Sequence, residues 1–320
     1  MNAAEPRART PAAGELLCAC GGPLAAAGAD ALACAGCGKR VPVRNGVPRF
    51  VPDDQYAGNF GFEWTVHNRT QLDTSGGTTG SRSGDSDPAR ESEETFRKYT
   101  GLTPDDVRGK TVLDVGCGMG RFAEVVSRWG GKLTGVDLTR AVDSAAANLA
   151  GRPDVRLLQA SLFELPFADG SFDYVYSLGV LHHTPDCRKA FDAITRLVKP
   201  GGRLCVWVYG HMGPWTVFSD FYRRATTRMP HRLLHALCWI AVPMYWFNCI
   251  PLIGWASRMV LPLSHHPRAS WRWLDTFDWY SPEYQSRHTY PEIFDWFRAA
   301  GFEDLRLFGV PVSVTGRKPA

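Results

Sequence analysis

The chain has 320 residues, 44% hydrophobic and 21% charged, ordinary globular usage with length for a nucleotide-binding core and accessory segments. A formal net charge of +4 is too small to argue for nucleic acid, and none is expected as a partner. Residues 1–14 are mostly Ala, Pro and Arg without an apolar run, which predicts a disordered tail rather than a secretory signal. Nine cysteines behind such a start point to a reducing, cytoplasmic setting in which clustered thiols bind metal.

Four of those cysteines are clustered. Cys18-x-Cys20 and Cys34-x-x-Cys37 bracket a short hairpin-like segment, where two knuckles close a tetrahedral zinc site in a piece too small to own a core. Such a closed site is structural; a metal-free ribbon and a redox pair are the other readings of the same thiols. With Gly21-Gly22-Pro23-Leu24 and the run Gly38 to Pro48, residues 15–52 resemble a small zinc-ribbon family. That family includes the activator subunit of certain RNA and protein methyltransferases, and its domain also occurs fused to bacterial enzymes. Its first knuckle has two intervening residues where this chain has one, and Leu17 stands where the first ligand is expected.

Residues 53–105 form the next expected unit, a cap followed by a loop. Phe60, Trp64 and His67 lie in the run Tyr56 to Asn68, and aromatics there suit either ordinary packing or a face over a cation. Thr70 to Ser92 is rich in Gly, Ser, Thr and Asp with no apolar period, which predicts a mobile loop.

The core is expected over residues 106–209. Thr111 to Val115 is β-branched and apolar apart from Asp114, and Gly116, Gly118 and Gly120 follow at alternate positions. A buried parallel strand is predicted, ending in a tight turn with no Cβ between main chain and ligand. Arg121 to Trp129 supplies the helix, with Phe122, Val125, Val126 and Trp129 on one face. Dinucleotide sites use G-x-G-x-x-G, whose third glycine falls here on Arg121. Asp137 ends a second strand, Lys132 to Val136, and lies 21 residues beyond Gly116, near the separation of about 20 at which a carboxylate meets ribose hydroxyls.

On these residues, Val112 to Val208 resembles the class I S-adenosylmethionine-dependent methyltransferases, in their small-molecule branch with quinone and sterol methylases. Leu157 to Leu162, Leu165 to Asp173 and Gly179-Val180-Leu181-His182-His183 continue the likeness. It implies an α/β fold, a doubly wound, seven-stranded, mostly parallel sheet, with S-adenosylmethionine bound across the strand ends. The cofactor residues it implies are Asp114, Gly116, Cys117, Gly118, Gly120, Asp137, Leu138, Ser161, Leu162 and Ser177. Ser161 stands where the family has an aspartate for the adenine amino group, and its hydroxyl keeps one acceptor for that contact. The N-terminal cap folds over the cofactor in related enzymes, which places Trp64 and His67 near the substrate.

Residues 210–288 are expected to be a helical, aromatic-rich insertion that lines an acceptor pocket, and 289–320 the last helix and strands of the core. Leu233 to Ser257 contains no Asp, Glu, Lys or Arg, yet Pro243, Asn248 and Pro251 interrupt it. A lid over an apolar pocket, contact with a membrane surface and a spanning helix all suit such a run, the last being disfavoured by the prolines. Thr289-x-x-Glu292 is a capping box, and Gly301 stops the helix it opens. Methyl transfer from a sulfonium is a displacement that needs a base only when the acceptor must lose a proton. His182, His183, His211 and His288 are the candidates, His182 carrying the better resemblance; Tyr209, Asp278, Tyr280 and Tyr284 are expected on the acceptor side. The resulting expectation is methylation of a small, rather apolar acceptor on oxygen, or on carbon or nitrogen, in natural-product, lipid or isoprenoid metabolism. An RNA- or protein-directed enzyme that recognises its target through the ribbon, and a non-enzymatic cofactor-binding scaffold, are the alternatives.

Overall fold

The computed structural model describes residues 14–52, 54–73, 90–211, 213, 215–309 and 312–320. The expected tail, apart from Gly14, and residues 74–89 of the expected loop lie outside these. The N-terminal piece is a four-stranded antiparallel sheet of β1 (Leu24–Ala26), β2 (Ala31–Cys34), β3 (Arg40–Arg44) and β4 (Val47–Pro48), in that order. Arg44 pairs with Val47, leaving Asn45 (φ 53°) and Gly46 (φ 76°) as a two-residue turn. Positive φ at both central positions is what an Asn-Gly hairpin favours.

Helices α1 (Gly58–Val66), α2 (Glu91–Thr100) and α3 (Pro104–Val107) follow. The ends of the expected mobile loop are pinned instead. Asp73 Oδ1 accepts from the Ser92 amide at 2.8 Å, and Ser92 Oγ donates to the Gln71 carbonyl at 2.6 Å; a carboxylate at the start of α2 meets unpaired N–H groups there. Fully buried Phe96 fixes α2 to the core, with its ring centroid 5.1 Å from that of Tyr176 and 5.5 Å from that of Trp129.

The main sheet comprises β5 (Thr111–Val115), β6 (Lys132–Asp137), β7 (Val155–Gln159), β8 (Phe172–Leu178), β9 (Val198–Trp207), β10 (Glu303–Phe308) and β11 (Ser313–Arg317). Their order is β10-β11-β9-β8-β5-β6-β7, and β11 runs antiparallel to both neighbours while β5 to β9 are parallel. The expected fold class is therefore what forms. The chain winds outward from β5 both ways, so the topological switch point, where such sheets bind ligands, lies at the carboxyl ends of β5 and β8, with the end of β6 beside it.

Helices α4 (Arg121–Arg128), α5 (Ala141–Asn148) and α6 (Cys187–Thr195) cover the sheet, and among the described residues the insertion holds five short helices: α7 (Trp215–Thr226), α8 (His231–Cys238), α9 (Ala241–Asn248), α10 (Pro251–Val260) and α11 (Ala269–Tyr280). Among the described residues no helix is long and apolar enough to cross a membrane. The charge-free run is cut at Cys249–Ile250, because Pro251 opens a new helix at its first position. The last helix, α12 (Tyr290–Ala299), carries the expected capping box: Thr289 Oγ1 accepts from the Glu292 amide at 3.3 Å and Glu292 Oε2 from the Thr289 amide at 3.4 Å.

Candidate active site

Three tight glycines form the loop beneath the site, of which Gly116 and Gly118 line it. Gly116, Gly118 and Gly120 have φ of 83°, 52° and 94°, values that L side chains rarely adopt. A Cβ on Gly116 would overlap the Val180 side chain, and one on Gly118 would lie 3.3 Å from Trp64 Nε1. The indole thus lies close over the loop. Helix α1 brings it there because Ser144 Oγ on α5 donates to the Trp64 carbonyl at 3.0 Å, and Asn148 Nδ2 to the Asn68 carbonyl at 2.7 Å.

Asp137, at the end of β6, closes one side. Its Oδ2 accepts from the Gly118 amide at 2.8 Å, while Oδ1 accepts from the Thr139 amide at 2.8 Å and the Thr139 hydroxyl at 2.7 Å. Burial raises its carboxyl, and these donors hold it back. A cavity of about 580 Å³ opens above, walled by the loop, by Leu138 and Leu162, by Tyr56, Phe60 and Trp64 of the cap, and by Asp275, Asp278 and Trp279 of α11. That size suits a nucleoside with room for more.

Of the expected cofactor residues, Gly116, Cys117, Gly118, Asp137, Leu138 and Leu162 line this cavity. The others serve the frame. Asp114 is buried beneath the loop, its carboxyl pushed up to about 8 by burial, against the Tyr176 hydroxyl that lowers it, and it is not part of the cavity wall. Gly120 abuts Leu149 and Ala145. Ser161 Oγ caps a short helical turn by accepting from the Phe163 amide at 3.3 Å. Ser177 Oγ donates to the Val115 carbonyl at 3.0 Å in the sheet interior, because side chains alternate along β8.

The histidines separate in the same way. His182 points inward, stacked on Tyr209 with centroids 3.9 Å apart, and Nδ1 accepts from the Tyr209 amide at 3.3 Å; burial depresses its basicity. His183 is the one in the cavity wall. Its Nδ1 lies 3.0 Å from the Tyr284 carbonyl, which only accepts, so Nδ1 carries the proton and Nε2 the lone pair. Burial lowers this imidazole to about 3. His211 is exposed. His288 is tied to Glu292 at 3.0 Å and Ser286 at 2.8 Å, outside the wall.

On the acceptor side Trp64, Tyr209 and Asp278 line the cavity, with Tyr209 Oη 2.8 Å from Asp278 Oδ2. His67 is turned away to His235, their Nε2 atoms 2.9 Å apart, and Tyr280 donates to the Pro262 carbonyl at 2.7 Å. Tyr284 contributes its carbonyl to His183 and its ring to a T-shaped contact with Tyr56, 5.7 Å between centroids. Sequence reasoning passed over Glu63 and Arg121, both in the wall. Glu63 does carry a sign of its role, a lone acid in the otherwise apolar and neutral run Gly58–Val66.

The four thiols of the small sheet form a separate centre. Cys18, Cys20, Cys34 and Cys37 keep their sulfurs within 4.8 Å of one another, with Cys18 to Cys37 at 3.6 Å and Cys20 to Cys34 at 3.4 Å. A tetrahedron of sulfurs about 2.3 Å from zinc has edges of about 3.8 Å. The donor set fits. A Cβ on Gly22 would lie 2.8 Å from Cys34 Sγ, and the Gly36 amide donates to that sulfur at 3.3 Å. Amides of Cys37 and Gly36 hold the Cys34 thiol down, to about 6. The single residue between Cys18 and Cys20 leaves all four sulfurs together.

A glycine loop at the end of the first core strand, an acid at the end of the second and a cavity at the switch point make one arrangement. Residues 113–206 match the methyltransferase domain family. The ubiquinone biosynthesis O-methyltransferase of Paracidovorax citrulli is 40% identical over 129 residues, 39% of this chain and 48% of that protein. The chloroplastic tocopherol O-methyltransferase of Arabidopsis thaliana is 34% identical over 128 residues, 37% of this chain and 36% of that one. The chain thus spans about half the length or less of these relatives, and the likeness falls on the methyltransferase domain. A solved S-adenosylmethionine-dependent methyltransferase from Aquifex aeolicus aligns with 72% of this chain and 92% of that one, at 17% identity and a TM-score of 0.40.

Proposed function

We propose that the protein is an S-adenosylmethionine-dependent methyltransferase that acts on a small, rather apolar acceptor, on oxygen in preference to carbon or nitrogen. The observation that carries this is the glycine loop and Asp137 opening into a cavity whose far wall is built by the insertion. O-Methyltransferase relatives of the domain support oxygen as the acceptor atom. The sulfonium supplies a methyl group ready for direct displacement. In this chain Asp137 would hold a ribose hydroxyl, the Gly116 to Gly118 main chain the amino-acid end, and Leu138 and Leu162 the adenine. Trp64 and Phe60 would exclude water and hold the reacting groups close, which supplies much of the rate in an in-line transfer. For a hydroxyl acceptor, His183 Nε2 would take the proton, as a weak base whose uncharged form burial favours.

Zinc held by Cys18, Cys20, Cys34 and Cys37 would be structural, since four thiolates leave no open position. A second feature bears on where the acceptor comes from. Leu252 is 83% exposed, Trp246 72% and Trp255 67%, and no Asp or Glu occurs from 221 to 274. Exposed Arg224, Arg228 and Arg232 precede these exposed side chains in the chain. Indoles and cations together suit an anionic lipid surface, so we read this exposed stretch as peripheral membrane contact. The test is incubation with methyl-labelled S-adenosylmethionine and a lysate of the source organism. Label in the organic extract supports the reading; label confined to RNA or protein overturns it and gives the ribbon the recognition role, and no transfer to any fraction favours the scaffold.

A further inference from the structure

We propose that the acceptor carries a protonated amine which docks against Glu63 and Asp278 within the aromatic part of the cavity. The inference rests on the methyltransferase reading and specifies the acceptor's chemistry. Glu63 is 0% exposed and belongs to the cavity wall, yet neither carboxylate oxygen has a hydrogen-bond partner among the described residues. Burying a carboxylate without a partner is costly, and a retained one implies a missing counterpart.

Two further acids share its surroundings. Asp278 and Asp275, both in the wall, add to the burial that raises the Glu63 carboxyl. Asp278 has the Tyr209 hydroxyl and Asp275 the Ser264 hydroxyl, at 2.8 and 2.9 Å, but among the described residues none of the three forms an ion pair within 4.0 Å. No cation of the wall serves Glu63. Arg287 pairs with Asp220 at 2.7 Å and His266 meets Glu91 at 3.3 Å, while Arg121 binds the neutral Ser92 and Gln71 at 3.1 and 3.3 Å and its charge acts on Asp275.

Glu63 is thus left without a cation, burial and two neighbouring acids favouring its neutral form, and the cavity is walled by the rings of Phe60, Tyr209 and Trp279. An organic cation satisfies both, the carboxylates by charge-assisted hydrogen bonds and the rings through their faces. A metal ion does not. Among the described residues, only the four cysteines gather ligand atoms closely enough to hold one. A neutral hydroxyl would fill the lone pairs but would not offset the burial that disfavours the charged form of Glu63 and Asp278, as a bound cation would.

The test uses the full chain and two probes of equal shape, 4-phenylbutylamine and 4-phenylbutanol, titrated by calorimetry at neutral pH with and without S-adenosylhomocysteine. The amine is expected to bind about tenfold or more tighter than the alcohol. Glu63→Gln should collapse that preference while the S-adenosylhomocysteine affinity stays unchanged; Asp278→Asn serves as the second variant should the first not fold. Equal binding of the probes, or a preference kept in the folded variants, overturns the proposal. A Glu63→Gln loss that falls on S-adenosylhomocysteine instead also overturns it, and assigns the carboxylate to the cofactor. S-Adenosylhomocysteine failing to bind the wild-type chain while the amine preference stands would sink the methyltransferase reading and leave an amine site.

Discussion

Replacing Asp137 by alanine separates what this carboxylate does for the fold from what it does for a nucleoside. A carboxylate offers about four lone-pair sites. Three are used: Oδ1 by the Thr139 amide and hydroxyl, Oδ2 by the Gly118 amide. One lone pair on Oδ2 is left for a ribose hydroxyl. A hydrogen bond to a charged group is worth about 1.5–3 kcal/mol, so Asp137→Ala should weaken S-adenosylhomocysteine by roughly 10- to 150-fold on that contact alone. Two main-chain donors are also orphaned, at about 1–3 kcal/mol each, so a lower melting temperature is expected in the free protein. Thr139→Val is the control. It removes one donor to Oδ1, at about 1.5–3 kcal/mol for a bond to a charged group, together with the acceptor of the Ala141 amide, and leaves the ribose lone pair alone, so stability falls and affinity holds. Calorimetric titration of both folded variants, beside thermal melts, provides the numbers. An Asp137→Ala protein that still binds S-adenosylhomocysteine within threefold of wild type would refute the ribose assignment.

Elemental analysis of protein purified without chelator should find one zinc per chain, and Cys34→Ser should lose it. Because a ribbon of this size folds on its metal, limited proteolysis should then cut within residues 15–52 while the core stays intact; a metal-free protein with a resistant ribbon would contradict the site. Co-sedimentation with anionic phospholipid vesicles tests the exposed face of α7 to α10. Each cation near such a surface is worth about 1 kcal/mol, so neutralising Arg224, Arg228 and Arg232 together should lower partitioning on the order of 100-fold, and equal sedimentation of the variant would rule the face out.

What the sequence revealed and what it hid divide along a physical line. The glycine loop and Asp137 are legible because main-chain conformation and strand-end position follow from local residue type and spacing. Side-chain direction does not. His182 and His183 are neighbours in one short turn, and only packing against Tyr209 and Tyr284 decides which enters the core and which the cavity. Ser177 sits at the right strand end, but on the face that donates to Val115. Ser161 is claimed by its own turn, a competition that short polar side chains commonly win. His67 lies one turn beyond Trp64's neighbour Glu63 and meets His235 of the insertion instead. The acceptor wall was the least legible part: Asp278 was expected there, but Asp275 on the same helix, α11, was not, since the docking of that helix depends on contacts far along the chain. Glu63 was hidden among aromatics that read as core.

Strand β7 ends the main sheet, and an uncovered last strand would offer its amides and carbonyls to any neighbour. Here the amide of Phe50 donates to the Gln159 carbonyl at 2.8 Å, and Arg49 reaches Gln159 Oε1 at 3.1 Å while pairing with Asp143. The small sheet therefore acts as a bumper on that flank. A chain cut back to the glycine-loop core would expose the flank and gain a route to self-association, whatever became of its chemistry.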